Sequence, residues 1–458
     1  MKTPLWTALS AHVAKAAQST HTPGHKSGRL IPAALREAWG EAVWHYDLTE
    51  LPGLDNLAHP EEVLAASMAE WAKDRSVAHV QYLLGGSSLG LKAAMLALCR
   101  GEKVFVPRHA HHSIYEGLAL AGAAVVPLEV CFDEALGIPL GVAPETLAAA
   151  CEAHPDCRRM VLVHPTYHGI TWQNEALVSL ARQKGVLTIA DSAHGAHFTS
   201  TFTPPSALAL GAEVAVESAH KTLPCLTQAS ILLVREEALV APLVQAVALL
   251  HTTSPSYLLM ASLEQAGAWL ANEGEAVMEV GVQRIAALEE RFAQNAQHMH
   301  IMRKKAWRQD PFKLYLHCAH ASGETLAQLL AAEGVDAEMA DGSGCLLMLG
   351  LDGVDAALEK ALFAVDAALA QVQEPLPAPC YLQTPPERVV SLADAWLAPR
   401  RTLPLSEAVG EVAAALVEAY PPGIPLVLPG ERITEAVVQA WTASGRPAER
   451  CVEVLDKR

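Results

Sequence analysis

Two residues that follow apolar segments have side chains suited to holding an aldehyde cofactor. Lys221 comes shortly after the apolar run Val214–Val216, and Asp191 closes a second run, Val186–Ala190. A lysine amine can form a Schiff base with an aldehyde, and a carboxylate on a neighbouring strand can hold a protonated pyridine nitrogen. Together these are the two main interactions by which a protein controls the electronic state of pyridoxal phosphate. Because most lysines are solvated surface residues, the prediction depends on the residues around this pair.

A glycine-rich turn upstream offers phosphate ligands. The segment Leu84–Gly90 leads into a helical pattern, and a glycine-rich turn at a helix start exposes backbone N–H groups and the positive end of the helix dipole. Ser87 and Ser88 add hydroxyl donors. Ser218 lies three residues before Lys221, so it could bind the same phosphate while Lys221 binds the aldehyde carbon. Taken alone, an ordinary serine cap after a glycine turn explains the turn better.

Several histidines lie in Pro107–Ser113, directly after an apolar run. No carboxylate or cysteine accompanies them at ligand spacing and no HExxH pattern exists, so a metal site is not expected. One imidazole here can instead stack on a flat heteroaromatic ring. Capping of a helix start is the other open interpretation for His109 and His112.

A carboxylate and an imidazole also lie three residues apart in Asp191–His197, so His194 can reinforce the ionised form of Asp191. A serine hydrolase would need a GxSxG nucleophile elbow, which is absent. The GxGxxG fingerprint is absent too, which weakens a nicotinamide interpretation.

The region from about residue 61 to 255 alternates short β-branched runs with Ala/Leu-rich amphipathic stretches. This predicts a mainly parallel sheet with helices on both faces. The predicted strands are Lys103–Val106, Ala124–Val130, Met160–His164, Val186–Ala190, Glu213–Val216 and Ile231–Val234, and the predicted helices include Pro144–His154 and Asn174–Lys184. Because ligands bind beyond the carboxyl ends of such strands, the pattern places Asp191, Lys221 and Thr166 at one edge of the domain.

The chain divides into three predicted parts. Residues 1–60 form an arm that is too poor in periodic apolar sequence to fold alone, residues 61–299 form the large domain, and residues 300–458 form a smaller α/β domain. The small domain is predicted from strands Lys313–His317 and Cys345–Leu349 and helices Glu324–Glu333 and Val354–Val372. A long helical stretch from Tyr257 to about His298 connects the two domains, and the Pro-rich segment Glu374–Pro386 is predicted to be a surface linker.

Composition excludes several classes of protein. The chain has 458 residues, of which 51% are hydrophobic and 18% charged, so a buried globular protein of more than one domain is expected. Its net charge of −17 argues against nucleic-acid and anionic-membrane partners. The nine scattered cysteines and the lack of a signal peptide or long apolar run predict a cytoplasmic protein with reduced thiols.

With these residues in place, the chain resembles the bacterial ornithine/lysine/arginine decarboxylase family, which are fold-type I pyridoxal phosphate enzymes with an aspartate aminotransferase-like fold. The matching segments, from near residue 20 to near 435, are Thr22–Gly28, Asp47–Glu50, Leu54–Leu57, Gly86–Ser88, Arg108–Ser113, Pro165–Gly169, Asp191–His197, Ser218–Lys221, Leu226–Gln228, Thr253–Tyr257, Tyr420–Pro425 and Pro429–Glu431. The resemblance therefore covers almost the whole chain, and its motifs are jointly specific.

The resemblance implies a role for each matching position. Lys221 carries the cofactor as a Schiff base, Asp191 pairs with the pyridine nitrogen, and His111 stacks on the ring. The implied catalytic residues are Lys221, Asp191, His111 and His194. The implied cofactor-binding residues are Gly86, Ser87, Ser88, His111, Thr166, Asp191, His194, Ser218, His220, Lys221, Thr253 and Ser254.

The resemblance is to a short form of the family, because the motif Thr22–Gly28 starts near the first residue, and we expect no N-terminal receiver-like wing domain. Ser192 replaces the glutamate usual in the family, and the segments Arg108–Ser113 and Gly85–Ser88 also depart from its pattern. These changes leave the identity of the substrate open.

The implied activity is α-decarboxylation of lysine, ornithine or arginine, which gives CO2 and a diamine or agmatine. Glu50 and Asp55 are candidates for binding the distal cation of the substrate. An aminotransferase or eliminating lyase on the same fold is an alternative, as is a non-catalytic pyridoxal phosphate-binding homologue. The resemblance also implies a homodimer or larger homo-oligomer in which Thr253 and Ser254 reach the cofactor phosphate of the partner.

Overall fold

The computed structural model describes residues 1–15, 17–382, 384–419 and 423–456. The strands are β1 (His79–Leu83), β2 (Lys103–Pro107), β3 (Ala124–Leu128), β4 (Cys131–Phe132), β5 (Pro139–Gly141), β6 (Arg159–Val163), β7 (Leu187–Asp191), β8 (Val214–Glu217), β9 (Ser230–Val234), β10 (Met299–Met302), β11 (Lys313–Cys318), β12 (Met339–Ala340), β13 (Gly344–Met348), β14 (Arg400–Pro404), β15 (Val417–Ala419), β16 (Ile424–Val427) and β17 (Cys451–Leu455). The α-helices are α1 (Pro4–Ala14), α2 (Ala33–Trp39), α3 (Ala42–Tyr46), α4 (Val63–Arg75), α5 (Gly86–Leu98), α6 (His112–Leu120), α7 (Pro144–Ala153), α8 (Asn174–Gln183), α9 (Ala207–Leu210), α10 (Ala219–Thr222), α11 (Val240–Leu250), α12 (Tyr257–Trp269), α13 (Glu275–Asn295), α14 (Gly323–Ala332), α15 (Ala356–Ala368), α16 (Leu392–Leu397) and α17 (Glu435–Ala443).

A seven-stranded sheet in the order β1-β9-β8-β7-β6-β2-β3 forms the centre of the fold. The strands from β8 to β3 pair in parallel, whereas β9 is antiparallel to both of its neighbours, β8 and β1. The predicted mainly parallel α/β sheet is therefore confirmed. The sequence pattern did not predict β1, because His79 and Gln81 interrupt its apolar run, yet pairing with β9 buries four of its five residues.

The register of the central strands brings the predicted chemistry to one edge. Asp191 at the end of β7 is the register partner of Val163 on β6 and of Val216 on β8. Because these strands are parallel, their carboxyl ends meet at the same edge of the sheet. The short helix α10, which carries Lys221, begins two residues after β8 ends.

A second sheet, in the order β10-β11-β13-β12, is antiparallel throughout, and α14 and α15 belong to the same part of the chain. It follows the helical connection predicted from residue 257, in which α12 and α13 are joined by a single π-helical turn, Leu270–Gly274. Lys313 opens β11 and Gly323 opens α14, close to the predicted starts at residues 313 and 324. The division of the chain near residues 60 and 300 stays a prediction.

The last part of the chain contains strands that the sequence pattern did not predict. After the linker Glu374–Pro386, of which Gln383 lies outside the described residues, β14 pairs with β17 and β15 pairs with β16. Trp441 and Val437 of α17 belong to a separate core cluster with these strands. The motif residues Tyr420, Pro421 and Pro422 also lie outside the described residues, between β15 and β16.

No helix among the described residues is both long enough and apolar enough to cross a membrane. In the same part of the chain, no group of three or more His, Cys, Asp or Glu side chains is arranged to hold a metal ion. The nine cysteines are free, and four of them are buried.

Candidate active site

A cavity of about 530 Å³ opens where β6 and β7 end, and Val163 and Asp191 contribute to its wall. Its wall contains most of the residues that the resemblance singled out. The predicted site residues that line it are Gly86, Ser87, Ser88, His111, Asp191, His194, Ser218, His220 and Lys221. Residues from four separate chain segments, far apart in sequence, therefore meet in one place.

The side chain of Lys221 lines the cavity. Its Nζ atom is 3.1 Å from His194 Nε2 and 5.9 Å from the centre of the Tyr167 ring. The side chain is accessible through the cavity, but the surrounding protein desolvates the amine and lowers its pKa, while Asp191 and Glu338 raise it. A lysine whose pKa is lowered is more readily the neutral amine that attacks a carbonyl.

Asp191 is buried, with 7% of its surface exposed, and its Oδ1 accepts a hydrogen bond of 3.1 Å from the N–H of Ala193. Burial raises the pKa of this carboxyl above its ordinary value, and the Ala193 bond and Lys221 oppose the rise. A buried carboxylate that lines a cavity is stabilised by a cation placed in that cavity. A protonated pyridine nitrogen would be such a cation.

Another part of the wall is formed by the start of α5. Gly86 has φ of +73°, which lets the chain turn into the helix, and the N-cap residue Gly85 provides no side-chain hydrogen bond to the first turn. Ser218 donates from its hydroxyl to Ser87 Oγ over 2.6 Å. Uncapped helix N–H groups beside serine hydroxyls make a site suited to a phosphate.

The histidines of the segment after β2 have distinct positions. His111 is the N-cap of α6, and its Nδ1 accepts from the N–H of Ser113 at 3.3 Å. The capping interpretation was therefore attached to the wrong residues, His109 and His112. Desolvation, with His112 and Lys221 as further causes, lowers the pKa of His111 to about 3, so its ring is the neutral form suited to stacking on an aromatic cofactor.

His109 also lines the cavity, although the sequence gave it no cofactor role. Both of its ring nitrogens are buried without a hydrogen-bond partner among the described residues. Burial lowers its pKa to about 4, so it too is neutral near pH 7. An unpaired buried imidazole in a cavity wall is a group that a polar ligand would satisfy.

Three predicted cofactor-binding residues lie outside the described wall of the cavity. Thr166 is buried in its own turn, where its hydroxyl oxygen accepts from the N–H of Ile170 at 3.2 Å. Its neighbour Tyr167 lines the cavity instead. Thr253 and Ser254 are exposed on the surface of their own chain, and their predicted contact with the cofactor of a partner stays a prediction.

The candidates for the distal cation of the substrate also lie elsewhere. Asp55 accepts hydrogen bonds from several backbone N–H groups, including 2.8 Å from Glu62 and 3.0 Å from Leu64, and so anchors the start of α4. Glu50 is exposed and does not appear in the described wall of the cavity. Glu418 of β15 does line the cavity, and the sequence analysis missed it.

Glu418 reaches the cavity because the β15–β16 hairpin is tied to the central sheet. Arg108, at the end of β2, donates to Glu431 Oε1 at 2.6 Å and to the carbonyl of Leu426 at 2.8 Å. Glu431 is 2% exposed and also pairs with Arg388 at 3.2 Å. Both Arg108 and Glu431 belong to motifs on which the resemblance rests, and their described role is to hold this hairpin in place.

Solved structures with the same architecture include decarboxylases and an aminotransferase. Lysine decarboxylase A from Pseudomonas aeruginosa superposes with a TM-score of 0.83 at 20% identity, over 99% of this chain and 80% of that one. The Francisella novicida lysine decarboxylase LdcF gives 0.84 at 17% identity, over 99% and 81%. A ureidoglycine-glyoxylate aminotransferase from Bacillus subtilis gives 0.54 at 15% identity, over 69% and 86%. The fold is that of the fold-type I pyridoxal phosphate-dependent enzymes.

The family follows from the sequence comparisons. Residues 3–350 match the Orn/Lys/Arg decarboxylase major domain, and residues 380–443 match the Orn/Lys/Arg decarboxylase C-terminal domain. The chain therefore belongs to the ornithine/lysine/arginine decarboxylase family and is an amino-acid decarboxylase. It is 31% identical to the arginine decarboxylase of Bacillus subtilis (strain 168), over 95% of this chain and 92% of that protein. It is also 31% identical to the uncharacterized protein YaaO of the same strain, over 96% and 93%.

Proposed function

We propose that the protein decarboxylates a basic L-amino acid, namely lysine, ornithine or arginine, with pyridoxal phosphate held at Lys221. The observation that carries the proposal is that one cavity is lined by the amine of Lys221, the buried carboxylate of Asp191 and a second carboxylate, Glu418. The first two groups suit the cofactor, and the third suits a substrate that carries a distal cation.

The residues in the wall fit pyridoxal phosphate. Lys221 would hold its aldehyde carbon and Asp191 its pyridine nitrogen, with His111 against the face of the ring. The phosphate would be bound by Ser87, Ser88, Ser218 and His220 at the uncapped start of α5. When bound, pyridoxal phosphate supplies a conjugated ring that accepts the electron pair left behind as CO2 departs.

The side chains of the protein then have three tasks. The buried carboxylate of Asp191 would stabilise a proton on the pyridine nitrogen, because the two opposite charges attract each other. The cavity wall fixes the substrate so that its carboxylate bond is aligned for cleavage, which is a matter of positioning. Lys221, with His194 Nε2 at 3.1 Å, returns a proton to the α-carbon.

A screen of CO2 release tests the proposed function. Purified full-length protein with added pyridoxal phosphate is incubated separately with L-lysine, L-ornithine and L-arginine, and with L-leucine as an uncharged amino acid. We expect CO2 and the matching amine from at least one basic amino acid and none from leucine. Formation of a keto acid without CO2 would contradict the proposal and favour transamination.

Glu418→Gln is expected to lower kcat/KM for the basic substrate by roughly 10²-fold, equivalent to about 3 kcal/mol, mainly through a higher KM. A neutral amide cannot compensate the distal cation once the substrate leaves water. Steady-state CO2 release measures the effect. Glu407→Gln removes an exposed carboxylate from the same part of the chain and serves as the matched control. An unchanged KM in Glu418→Gln would place the distal cation elsewhere.

We also propose a cytoplasmic location, in keeping with the free state of all nine cysteines, of which Cys99, Cys157, Cys318 and Cys345 are buried. Reduced thiols are usual where glutathione and thioredoxin keep disulfides open. Diamine and agmatine production in that compartment would make the enzyme part of polyamine synthesis.

We propose that the active unit is a homodimer in which Thr253 and Ser254 act on the partner's site. These residues are exposed outside their own cavity, and Leu30 and Trp39 of the predicted arm each expose 62% of their surface. Exposed large apolar side chains are typical of surfaces that a second chain covers. The arm would then lie across the interface, as the sequence predicts.

Mixing two inactive variants is expected to restore part of the activity. In a hybrid of Lys221→Ala and Thr253→Ala/Ser254→Ala subunits, one site collects both defects and the other has neither, provided that the pair acts across the interface. CO2 release is measured after subunit exchange, with each variant alone as the control. If hybrid dimers form and stay inactive, Thr253 and Ser254 act within their own subunit.

A further inference from the structure

Two lysines approach the same imidazole from opposite sides. Lys221 Nζ is 3.1 Å from His194 Nε2, and Lys313 Nζ is 2.9 Å from His194 Nδ1. Lys313 was predicted only as the start of a strand, and no site role was given to it. It comes from the second sheet, whereas His194 lies in the loop after β7 and Lys221 lies on α10, which follows β8 of the central sheet.

Lys313 is held in this position by close packing. It is 1% exposed, and its Nζ donates to the carbonyl oxygen of Tyr167 at 3.2 Å. Gly169 has φ of +79°, and a Cβ atom there would lie 2.7 Å from Lys313 Cγ. The turn that contains Tyr167 can therefore lie over the buried lysine only because residue 169 is glycine.

The hydrogen-bond capacity of His194 limits the charge on the two lysines. A neutral imidazole has one N–H donor and one lone-pair acceptor. If Lys313 donates to Nδ1, then Nε2 carries the proton and Lys221 must accept it as a neutral amine. If Lys221 donates to Nε2, then Nδ1 carries the proton and Lys313 must be the neutral amine. The arrangement therefore accommodates at most one ammonium ion.

We propose that Lys313 is a positioning residue that exchanges this single proton with Lys221 through His194. In the exchange, the N–H bond of the Lys313 ammonium breaks as an N–H bond forms at His194 Nδ1. The N–H bond at His194 Nε2 breaks as one forms at Lys221 Nζ, so the charge moves and the imidazole stays neutral. The inference rests on the proposed function only in taking Lys221 as the reactive amine.

The charged groups around Lys313 are consistent with an exchangeable proton. Burial lowers its pKa to about 8, Asp310 and Glu338 raise it, and Lys221 lowers it further. Asp310 is itself paired with His197 at 3.1 Å. Lys313 can therefore lose its proton near neutral pH, which an ordinary lysine cannot do.

The groups around His194 and Lys221 also shift the pKa values of these two side chains. Burial lowers the pKa of His194 well below its ordinary value, and Lys313, Lys221, His111 and His197 lower it further. The imidazole is therefore neutral when it bridges the lysines. Around Lys221, desolvation lowers the pKa, whereas Asp191 and Glu338 raise it. The Tyr167 ring faces both amines, at 5.9 Å from Lys221 and 5.5 Å from Lys313.

Lys313→Met is the variant that tests the exchange, because methionine has a similar length but neither charge nor N–H. Without a second cation, and with Nδ1 free to carry the proton, Lys221 keeps its own proton more strongly. We expect the pH midpoint of the visible absorbance of the pyridoxal phosphate-loaded protein to rise by about one unit or more. Lys305→Met, at an exposed lysine of the same part of the chain, should leave the midpoint unchanged. An unchanged midpoint in folded Lys313→Met would overturn the proposal.

A second measurement does not depend on the cofactor. The full chain is stripped of pyridoxal phosphate and treated with an amine-acylating reagent across a range of pH, and acylation of Lys221 is followed by mass spectrometry. The reactivity midpoint of Lys221 should also rise in Lys313→Met. If the protein never binds pyridoxal phosphate, the proposed function fails while this shift still supports the exchange. Should Lys313→Met not fold, Lys313→Gln keeps a donor for Tyr167, removes the charge, and must shift the midpoint in the same direction for the proposal to stand.

Discussion

Asp191→Asn is expected to lower kcat by roughly three orders of magnitude, or about 4 kcal/mol of transition-state stabilisation, while the fold stays intact. The asparagine side chain has the same shape and can still accept the N–H of Ala193 through its carbonyl oxygen. A neutral amide cannot hold a positive charge beside it, so the electron pair left by departing CO2 loses its main stabilisation.

The rate of CO2 release at saturating substrate measures this effect, and circular dichroism checks the fold. Asp336→Asn changes an exposed aspartate and is the matched control. A kcat within a few-fold of the unmodified protein would mean that another group supports the pyridine nitrogen, and the assignment of Asp191 would be wrong.

Lys221→Ala is expected to reduce CO2 release by roughly four orders of magnitude or more, because the reactive amine has no substitute. The purified wild-type protein should be yellow, and borohydride should attach a pyridoxyl group to Lys221 irreversibly. The variant should neither colour in this way nor retain the group after reduction.

Peptide mapping by mass spectrometry identifies the modified lysine, and Lys360→Ala, at an exposed position on α15, provides the control. The modification should be found on Lys221 in the wild type and in this control. A pyridoxyl group found on any other lysine would contradict the central assignment of the site.

The parts of the fold that the sequence predicts well are those determined by local pattern. Buried parallel strands such as β6 and β7 are continuous apolar runs, and such runs were found directly. Strand β1 was missed, because a polar residue, Gln81, is buried there by pairing with a distant strand. The strands after residue 400 were missed for two reasons. Strands β14 and β17 pair with each other across a long stretch of chain. Strands β15 and β16 have only three and four residues.

The residues of the site also fall into two groups, those that the local sequence pattern predicts and those that it does not. Asp191 and Lys221 follow strands that lie side by side in a parallel sheet, so the edge they share follows from the pattern of the strands. Glu418 enters the cavity and Lys313 approaches His194 from other sheets, and no local periodicity indicates where those sheets dock. Asp55 was considered for the substrate because of its charge alone, and its five backbone N–H partners became evident only from the turn it occupies.

The attachment of the β15–β16 hairpin through Arg108 and Glu431 has an evolutionary consequence. The groups that suit the cofactor come from the central sheet and the segments after its strands, whereas Glu418 comes from a hairpin to which Arg108 bonds through Glu431 and the carbonyl of Leu426. If Glu418 binds the distal cation as proposed, substitutions in the hairpin can alter which amino acid is accepted without disturbing the residues proposed to hold the cofactor. Descendants of a single ancestral gene can in this way diverge in substrate while inheriting the same reaction.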